Sequence, residues 1–244
     1  EILRKLAPHA EIEKLKFFRQ LETKMAGIPV EITRTGYTGD LGYELWVRPE
    51  FAERLFDCLM DKGSGYGILP AGMVALDIAR IEAGLLLIEV DYISSHYAVI
   101  EAQKSSPYEL GLGWAVALDG ANFIGRKALQ TEKAAGSPWT FVGLHIDWPH
   151  LERLFAQEDL PPKVAGRAQR TAVPIYKNGR QIGQATSQTF APILKQYIAI
   201  GTVETAHAAI GSQVQMEVTV EYSREKVNAT IVNTPFYNPE RKRK

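Results

Sequence analysis

The sequence holds a single cysteine, Cys58, among 244 residues. One thiol excludes an internal disulfide framework and every zinc pattern built from several cysteines, and it fits a reducing compartment. Cys58 stands in "FAERLFDCLM", beside a helical stripe of Ala52, Leu55, Phe56, Leu59 and Met60, so a packing role is expected of it rather than a reactive one. Excess charge is lacking too: Lys plus Arg and Asp plus Glu both count 28, so no net field draws the chain to nucleic acid or to an anionic membrane. The one dense basic run, "RKRK" at 241–244, reads as a solvated tail. No run of about 18 apolar residues occurs, and the start has no signal-peptide layout, which predicts a soluble, cytoplasmic protein. The histidines, at 9, 96, 145, 150 and 207, form no paired helical spacing with a neighbouring glutamate, and no metal site is expected. A G-x-S-x-G elbow, a phosphate loop and a G-x-G-x-x-G turn are all missing, which removes the usual hydrolase and nucleotide signals.

What is present suffices for a core. An apolar share of 45% over this length suits one large domain or two ordinary ones. The opening "EILRKLAPHAEI" reads as a short helix entered partway, and a further segment is expected before Glu1 in the natural gene. Between Ile28 and Val47, β-branched and aromatic residues broken by "GYTGDLG" predict two strands joined by a glycine-rich turn. A helix over 50–62 follows, ended by "KGSGYG". Between Ala71 and Ile81 apolar residues surround the helical wheel, with Asp77, Arg80 and Glu82 as exceptions, which predicts a buried helix. The polar stretch 92–106 reads as a long loop, a kind that is more often functional than idle. "LGLGWAVAL" reads as a strand, and "NFIGRKALQTEKAAG" as a turn into an amphipathic helix stopped by Gly136.

After "AAGSP" the pattern changes to short strands: "TFVGLHI", "AVPIYKNGRQIGQAT", "YIAIGTV", "SQVQMEVTVEY" and "KVNATIV". Asn178 and Gly179 mark a hairpin turn, and Val214, Met216, Val218 and Val220 alternate cleanly. The fold class is therefore α+β, with a mixed portion over 1–138 followed by a small all-β barrel or sandwich over 139–244. An insert at 148–170 falls between the first two strands of the series.

One carboxylate stands out. In an alternating strand Tyr43, Leu45 and Val47 share one face while Glu44 and Trp46 share the other, so Glu44 projects beside an aromatic ring. Leaving it buried and unpaired would cost several kcal/mol. Two kinds of partner are open to it: an arginine such as Arg34 or Arg80, or a ligand with two parallel N–H donors. Tyr37 in "GYTG" and Trp114 in "LGLGW" could each be a core aromatic or a stacking face for a flat ring.

The runs "RTGYTGDLGYEL", "LPAG", "RIEAGL", "PYELGLGW", "FIGRKAL", "GQATSQTFAPILKQYIAIGTV" and "PFYNP", taken in order, resemble the aminomethyltransferase family, the tetrahydrofolate-binding T-protein of the glycine cleavage system and its relatives. The likeness extends over nearly the whole chain; the insert at 148–170 is the main part outside it. It implies a partial folate-binding α+β domain followed by a Greek-key-like barrel, with tetrahydrofolate as cofactor. Pterin presents its N3–H and 2-amino group side by side, and a carboxylate accepts such a pair in a fork. The family's strand glutamate does this, and it matches Glu44. The same match implies that Tyr37 and Trp114 line the folate cavity, that Arg80 and Arg170 lie at it, and that Tyr237 of "PFYNP" belongs to it.

Two departures bear on activity. Glycine-cleavage members usually carry an arginine four residues before the position of Arg80, where this chain has Leu76. The family's catalytic aspartate lies in an N-terminal half that has no counterpart here, so no catalytic acid or base is nominated, and neither Asp40 nor Asp91 is assigned that task. The resemblance implies a folate-dependent one-carbon transferase, incomplete and inactive as this chain alone. Its partners would be a small methyl or aminomethyl donor, a lipoyl carrier protein and the missing N-terminal half; nucleic acid and membrane are not among them. Leu76 and the 92–106 loop favour a divergent member, a demethylase or the transferase segment of a dimethylglycine- or sarcosine-oxidising enzyme. A non-catalytic folate-binding module is the alternative, although the "GCYxGQE" signature of the iron-sulfur-assembly relatives is missing.

Overall fold

The computed structural model of the chain describes residues 1–242, which leaves Arg243 and Lys244 of the basic tail outside the described residues. The chain divides into two compact units, residues 1–76 with 238–244, and residues 77–237. The architecture is mixed α and β with a closed antiparallel barrel.

The first unit opens with α1 (Ile2–Leu6) and a three-stranded antiparallel sheet of β1 (Gln20–Met25), β2 (Ile28–Thr33) and β3 (Glu44–Trp46), in that order. Ile28, Val30 and Ile32 alternate with Pro29, Glu31 and Thr33, and only the first set is buried. The apolar face packs on Leu6, Ile12 and Leu15, and on Leu55 of α2 (Ala52–Gly63). The 28–47 stretch therefore holds two strands, as its residues predicted, but β1 adds a third. The α1 reading also holds, since a helix occupies the opening residues.

α3 (Met73–Glu82) corrects the expectation of a helix buried through its apolar residues. Met73 is 72% exposed and Val74 lies open, whereas Asp77, Arg80 and Glu82 are buried with Ile81. Hydrogen bonding explains the inversion, since these polar groups find partners far along the chain. The stretch "LGLGWAVAL" is a second correction. Gly111 takes φ of 70°, and the turn bonds Leu112 N–H to Pro107 C=O, Ala115 N–H to Leu112 C=O and Val116 N–H to Gly113 C=O coil the chain into a short 3-10 turn at Gly113–Ala115. α4 (Arg126–Ala135) then stops at Gly136, which takes φ of 82°.

The barrel comprises β4 (Trp139–Ile146), β5 (Val173–Lys177), β6 (Arg180–Ala191), β7 (Gln196–Glu204), β8 (Gln213–Val220) and β9 (Ser223–Val232), closed in the order β4-β7-β6-β5-β8-β9. The first four strands thus follow a Greek-key path, with β4 beside β7 rather than β5. The insert after β4 forms α5 (Trp148–Ala156), whose Leu151, Leu154 and Phe155 join Leu144, Met216 and Ile231 in the barrel core. Asp147 caps α5 by accepting the His150 N–H at 3.0 Å. Asn178 and Gly179 take φ of 51° and 79° at the β5–β6 turn, the left-handed pair that a two-residue hairpin requires. Among the described residues no helix is long and apolar enough to cross a membrane.

Candidate functional site

In the first unit, register decides what surrounds Glu44. Thr33 of β2 pairs directly with Glu44 of β3, and Thr35, two residues on, lies on the same side. The Thr35 hydroxyl donates to Glu44 Oε2 at 2.8 Å; Thr33 Oγ1 lies 3.3 Å from that oxygen and 2.8 Å from Thr35 Oγ1. Each hydroxyl has one proton, so the pattern that satisfies both short contacts is a relay in which Thr33 donates to Thr35 and Thr35 to Glu44. Both contacts fall on Oε2. Among the described residues no protein hydrogen bond reaches Oε1, and the side chain is exposed beside Trp46. The expected alternation of Glu44 and Trp46 is therefore present, but its surroundings are corrected. Glu44 stands on the open side of a one-sided sheet, and two hydroxyls hold it instead of Arg34 or Arg80. It bears no large desolvation cost and needs no cation.

The glycine-rich turn beyond β2 is anchored from behind. Arg34, buried, donates to Leu15 C=O at 2.9 Å and to Lys242 C=O at 3.4 Å. Asp40 accepts the Leu41 N–H at 2.7 Å and the Arg241 Nε–H at 2.7 Å, with a second oxygen on Arg241 Nη2. Arg241 is thus tied to the turn, which corrects the reading of the basic run as a solvated tail at its first residue. Tyr37, half-buried, belongs to this turn.

In the second unit, Arg80 is 0% exposed and each of its three guanidinium nitrogens donates a hydrogen bond. Nε donates to Asp77 Oδ1 at 2.9 Å, Nη1 to Leu85 C=O at 3.2 Å and to Asp91 Oδ2, and Nη2 to Ser187 Oγ at 2.7 Å. Asp91 also accepts Leu87 N–H at 2.7 Å and the hydroxyls of Thr186 and Ser187, each at 2.6 Å. A β-bulge between Ala185 and Ser187 brings those two consecutive hydroxyls to one carboxylate oxygen, which a regular strand would turn to opposite faces. Arg170 donates from Nε to Asp77 Oδ2 at 2.8 Å while half its side chain stays open. Asp77 therefore joins two of the arginines singled out from the sequence, one sealed and one at the surface. This geometry makes Arg80 a buried counter-ion of Asp77 and Asp91. Trp114 is 73% exposed on its 3-10 turn, and Tyr237, half-buried, donates its backbone N–H to Glu82 C=O at 2.8 Å.

Sequence reasoning missed Thr33, Thr35, Asp77 and Asp91 as parts of these clusters. The spacing of the two threonines, opposite a strand glutamate, was a usable signal; the bonds from Arg80 to Ser187 and from Thr186 to Asp91 cross the chain and left none.

Comparison with known proteins extends these observations. The description "GCVT N-terminal domain" matches residues 1–120, and "Glycine cleavage T-protein C-terminal barrel domain" matches residues 161–238. A trimethylamine-oxide aldolase from Ruegeria pomeroyi is 34% identical over 252 aligned positions, covering 100% of this chain and 28% of that protein. An aminomethyltransferase from Halothermothrix orenii is 33% identical, covering 97% of this chain and 57% of its own length. The crystal structure of the glycine cleavage system aminomethyltransferase T from Bartonella henselae superposes with a TM-score of 0.74 at 25% identity, over 97% of this chain and 56% of that one. The chain thus spans about half the length of these aminomethyltransferases. With both parts of the fold matched in order along the chain, it belongs to the aminomethyltransferase family of the glycine cleavage T-protein.

Proposed function

We propose that the protein of which this chain is part is a tetrahydrofolate-dependent one-carbon transferase, and that Glu44 is the residue that accepts the pterin edge. The supporting observation is the division of labour on its carboxylate: Oε2 takes the threonine hydroxyls while Oε1 and the outer lone pairs stay available on an open face. Two adjacent N–H donors fit such an acceptor, and a charged fork of this kind fixes orientation as well as binding. Tetrahydrofolate, when bound, supplies the nitrogen that takes up the one-carbon unit. This chain contributes orientation. Thr35 holds the Glu44 rotamer, Tyr37 and Trp114 offer ring faces, and Arg170 presents a cation already steered by Asp77. Holding the acceptor at a set angle to its donor accounts for much of the rate in a transfer of this type. Tyr237 is proposed as a further folate-binding residue, with 1–138 as the folate-binding portion and 139–244 as the barrel domain. Neither Asp40 nor Asp91 serves as acid or base in this proposal, since Arg241 engages the first and Arg80 the second.

For the donor, a methylated amine is favoured over a lipoyl-borne aminomethyl group. Likeness to the trimethylamine-oxide aldolase and the neutral Leu76 support that choice, which includes the transferase segment of a dimethylglycine- or sarcosine-oxidising enzyme. The test is to incubate the full-length protein with tetrahydrofolate and N-methylated amines, or with an aminomethylated lipoyl carrier, and to follow methylene- and methyl-tetrahydrofolate by mass spectrometry. Donor-dependent product that falls at least tenfold in Glu44→Gln is the expected result. Absence of product with every donor rejects the transferase, and tight folate binding without turnover supports a binding module instead.

A further inference from the structure

The second unit contains a cavity of about 630 Å³, within the size range of small-molecule sites. Leu151 and Phe155 of α5 and Leu160 beyond it form one wall; Val173, Gln188 and Tyr197 of the barrel form the other. The α5 wall comes entirely from residues 121–160, which fall between the two stretches that match the family.

The barrel wall carries a side-chain donor without a protein partner among the described residues. Gln188 is 4% exposed, and its backbone N–H and C=O are both taken up by Gln169, at 3.0 and 2.8 Å. Its Oε1 accepts the Tyr197 hydroxyl at 3.2 Å. Its Nε2 donates to no protein group among the described residues and is not sealed off, and Gln188 lines the cavity. A donor left without a protein partner can be met by a ligand oxygen, which would replace water there. The inner polar groups are also neutral, because burial pushes the Tyr197 phenol up to about 12. Three charged residues, Lys163, Glu217 and Glu221, also line the cavity. Glu217 accepts from Tyr176 Oη at 3.3 Å, and Lys163 and Glu221 are exposed. An ion would lose its hydration against these walls without gaining a counter-charge at Gln188.

We propose that this cavity binds a small, uncharged, largely apolar molecule whose carbonyl-type oxygen accepts the side-chain N–H of Gln188. A matched pair of probes tests it, benzophenone and diphenylmethane, which share a shape and differ by the carbonyl. Each is titrated into the full 244-residue chain, with the Gln188 side-chain amide followed by NMR. The expected result is saturable benzophenone binding with diphenylmethane about fivefold weaker, the net worth of one hydrogen bond. Gln188→Leu should erase the difference between the probes, and Val218→Trp, which fills the cavity, should abolish binding of both. Backbone amide spectra verify that each variant is folded, and Gln188→Leu alone suffices if Val218→Trp is not. Lack of saturable binding by benzophenone, equal affinity for the two probes, or a preference for benzophenone that survives Gln188→Leu would each overturn the proposal.

Discussion

Replacing Arg80 by Met separates a scaffold residue from a ligand residue, because the two roles predict opposite readouts. In the structure Arg80 gives four hydrogen bonds inside the second unit, and the side chain of its partner Asp91 is 0% exposed. Methionine fills most of the same volume but leaves the Asp91 carboxylate buried without its counter-ion. Breaking a buried pair from one side costs about 3–5 kcal/mol. With a urea dependence of about 2 kcal/mol per molar for a unit of this size, the unfolding midpoint should fall by about 2 M. Thr186, Ser187 and the Leu87 N–H remain on Asp91 and temper the loss, so the lower end of that range is expected.

Two compact units need not unfold together, so the assay must report on the barrel alone. Hydrogen exchange of β6 and β7 peptides against urea, read by mass spectrometry, does so. The double variant Arg80→Met with Asp91→Leu supplies the control. Removing both charges abolishes the uncompensated carboxylate and should recover part of the stability, as replacing buried pairs by apolar groups often does. A midpoint shift under about 0.5 M in the single variant, or a double variant no better than the single, would refute the assignment of Arg80 to the scaffold. Normal barrel stability together with a tenfold loss of folate affinity would restore it to the ligand site.

Thr35→Val should weaken tetrahydrofolate binding about three- to tenfold by calorimetry, and Thr33→Val less, because only Thr35 lies 2.8 Å from Glu44. The double variant should do little more than Thr35→Val if the hydroxyls form a relay, and additive losses would contradict that order. Burial pushes the Glu82 carboxyl up, offset in part by the Ile193 N–H at 3.3 Å, so the stability it contributes is complete below the ordinary carboxylate range and is lost as pH rises through its folded value. Glu82→Gln should therefore raise the melting temperature at about pH 8 and lose that advantage toward about pH 4; a gain that is independent of pH would contradict the burial argument. In Gly201→Ala the added methyl would lie 2.7 Å from Ala185 Cα across the β6–β7 ladder, and a loss of about 1–3 kcal/mol is expected in thermal unfolding.

The barrel was legible in β8 and β9, where burial alternates along the strand, so the pattern of Val214, Met216, Val218 and Val220 and the Asn178–Gly179 turn carry the fold locally, whereas β6 and β7 are buried on both faces. β1 was not legible, since "QLETKM" buries only Met25 fully and presents polar or charged residues at most other positions. "LGLGWAVAL" misled for the opposite reason: its apolar residues suit a strand, but Gly111 takes a left-handed conformation that no extended strand accommodates. The direction of Glu44 followed from alternation alone. Its partners did not, because Thr33 reaches it only through the β2–β3 register, and register depends on a turn whose geometry composition does not determine.

Family likeness marks residues without saying which of them face a ligand. "GYTGDLGYE" and "RIEAG" both belong to the family-like runs, yet Glu44 is open with one oxygen unused, whereas Arg80 is sealed with every nitrogen occupied. What separates them is hydrogen-bonding capacity left over after folding, a quantity fixed by partners up to 107 positions away. A strand carboxylate on a one-sided sheet keeps such capacity because water satisfies it until a ligand arrives. A helix arginine in the second unit cannot, since burial requires that the fold supply every acceptor. The same criterion brings forward Gln188, which lies inside the family-like run "GQATSQTFAPILKQYIAIGTV" without standing out in it: it is 4% exposed, and its Nε2 has no protein partner among the described residues.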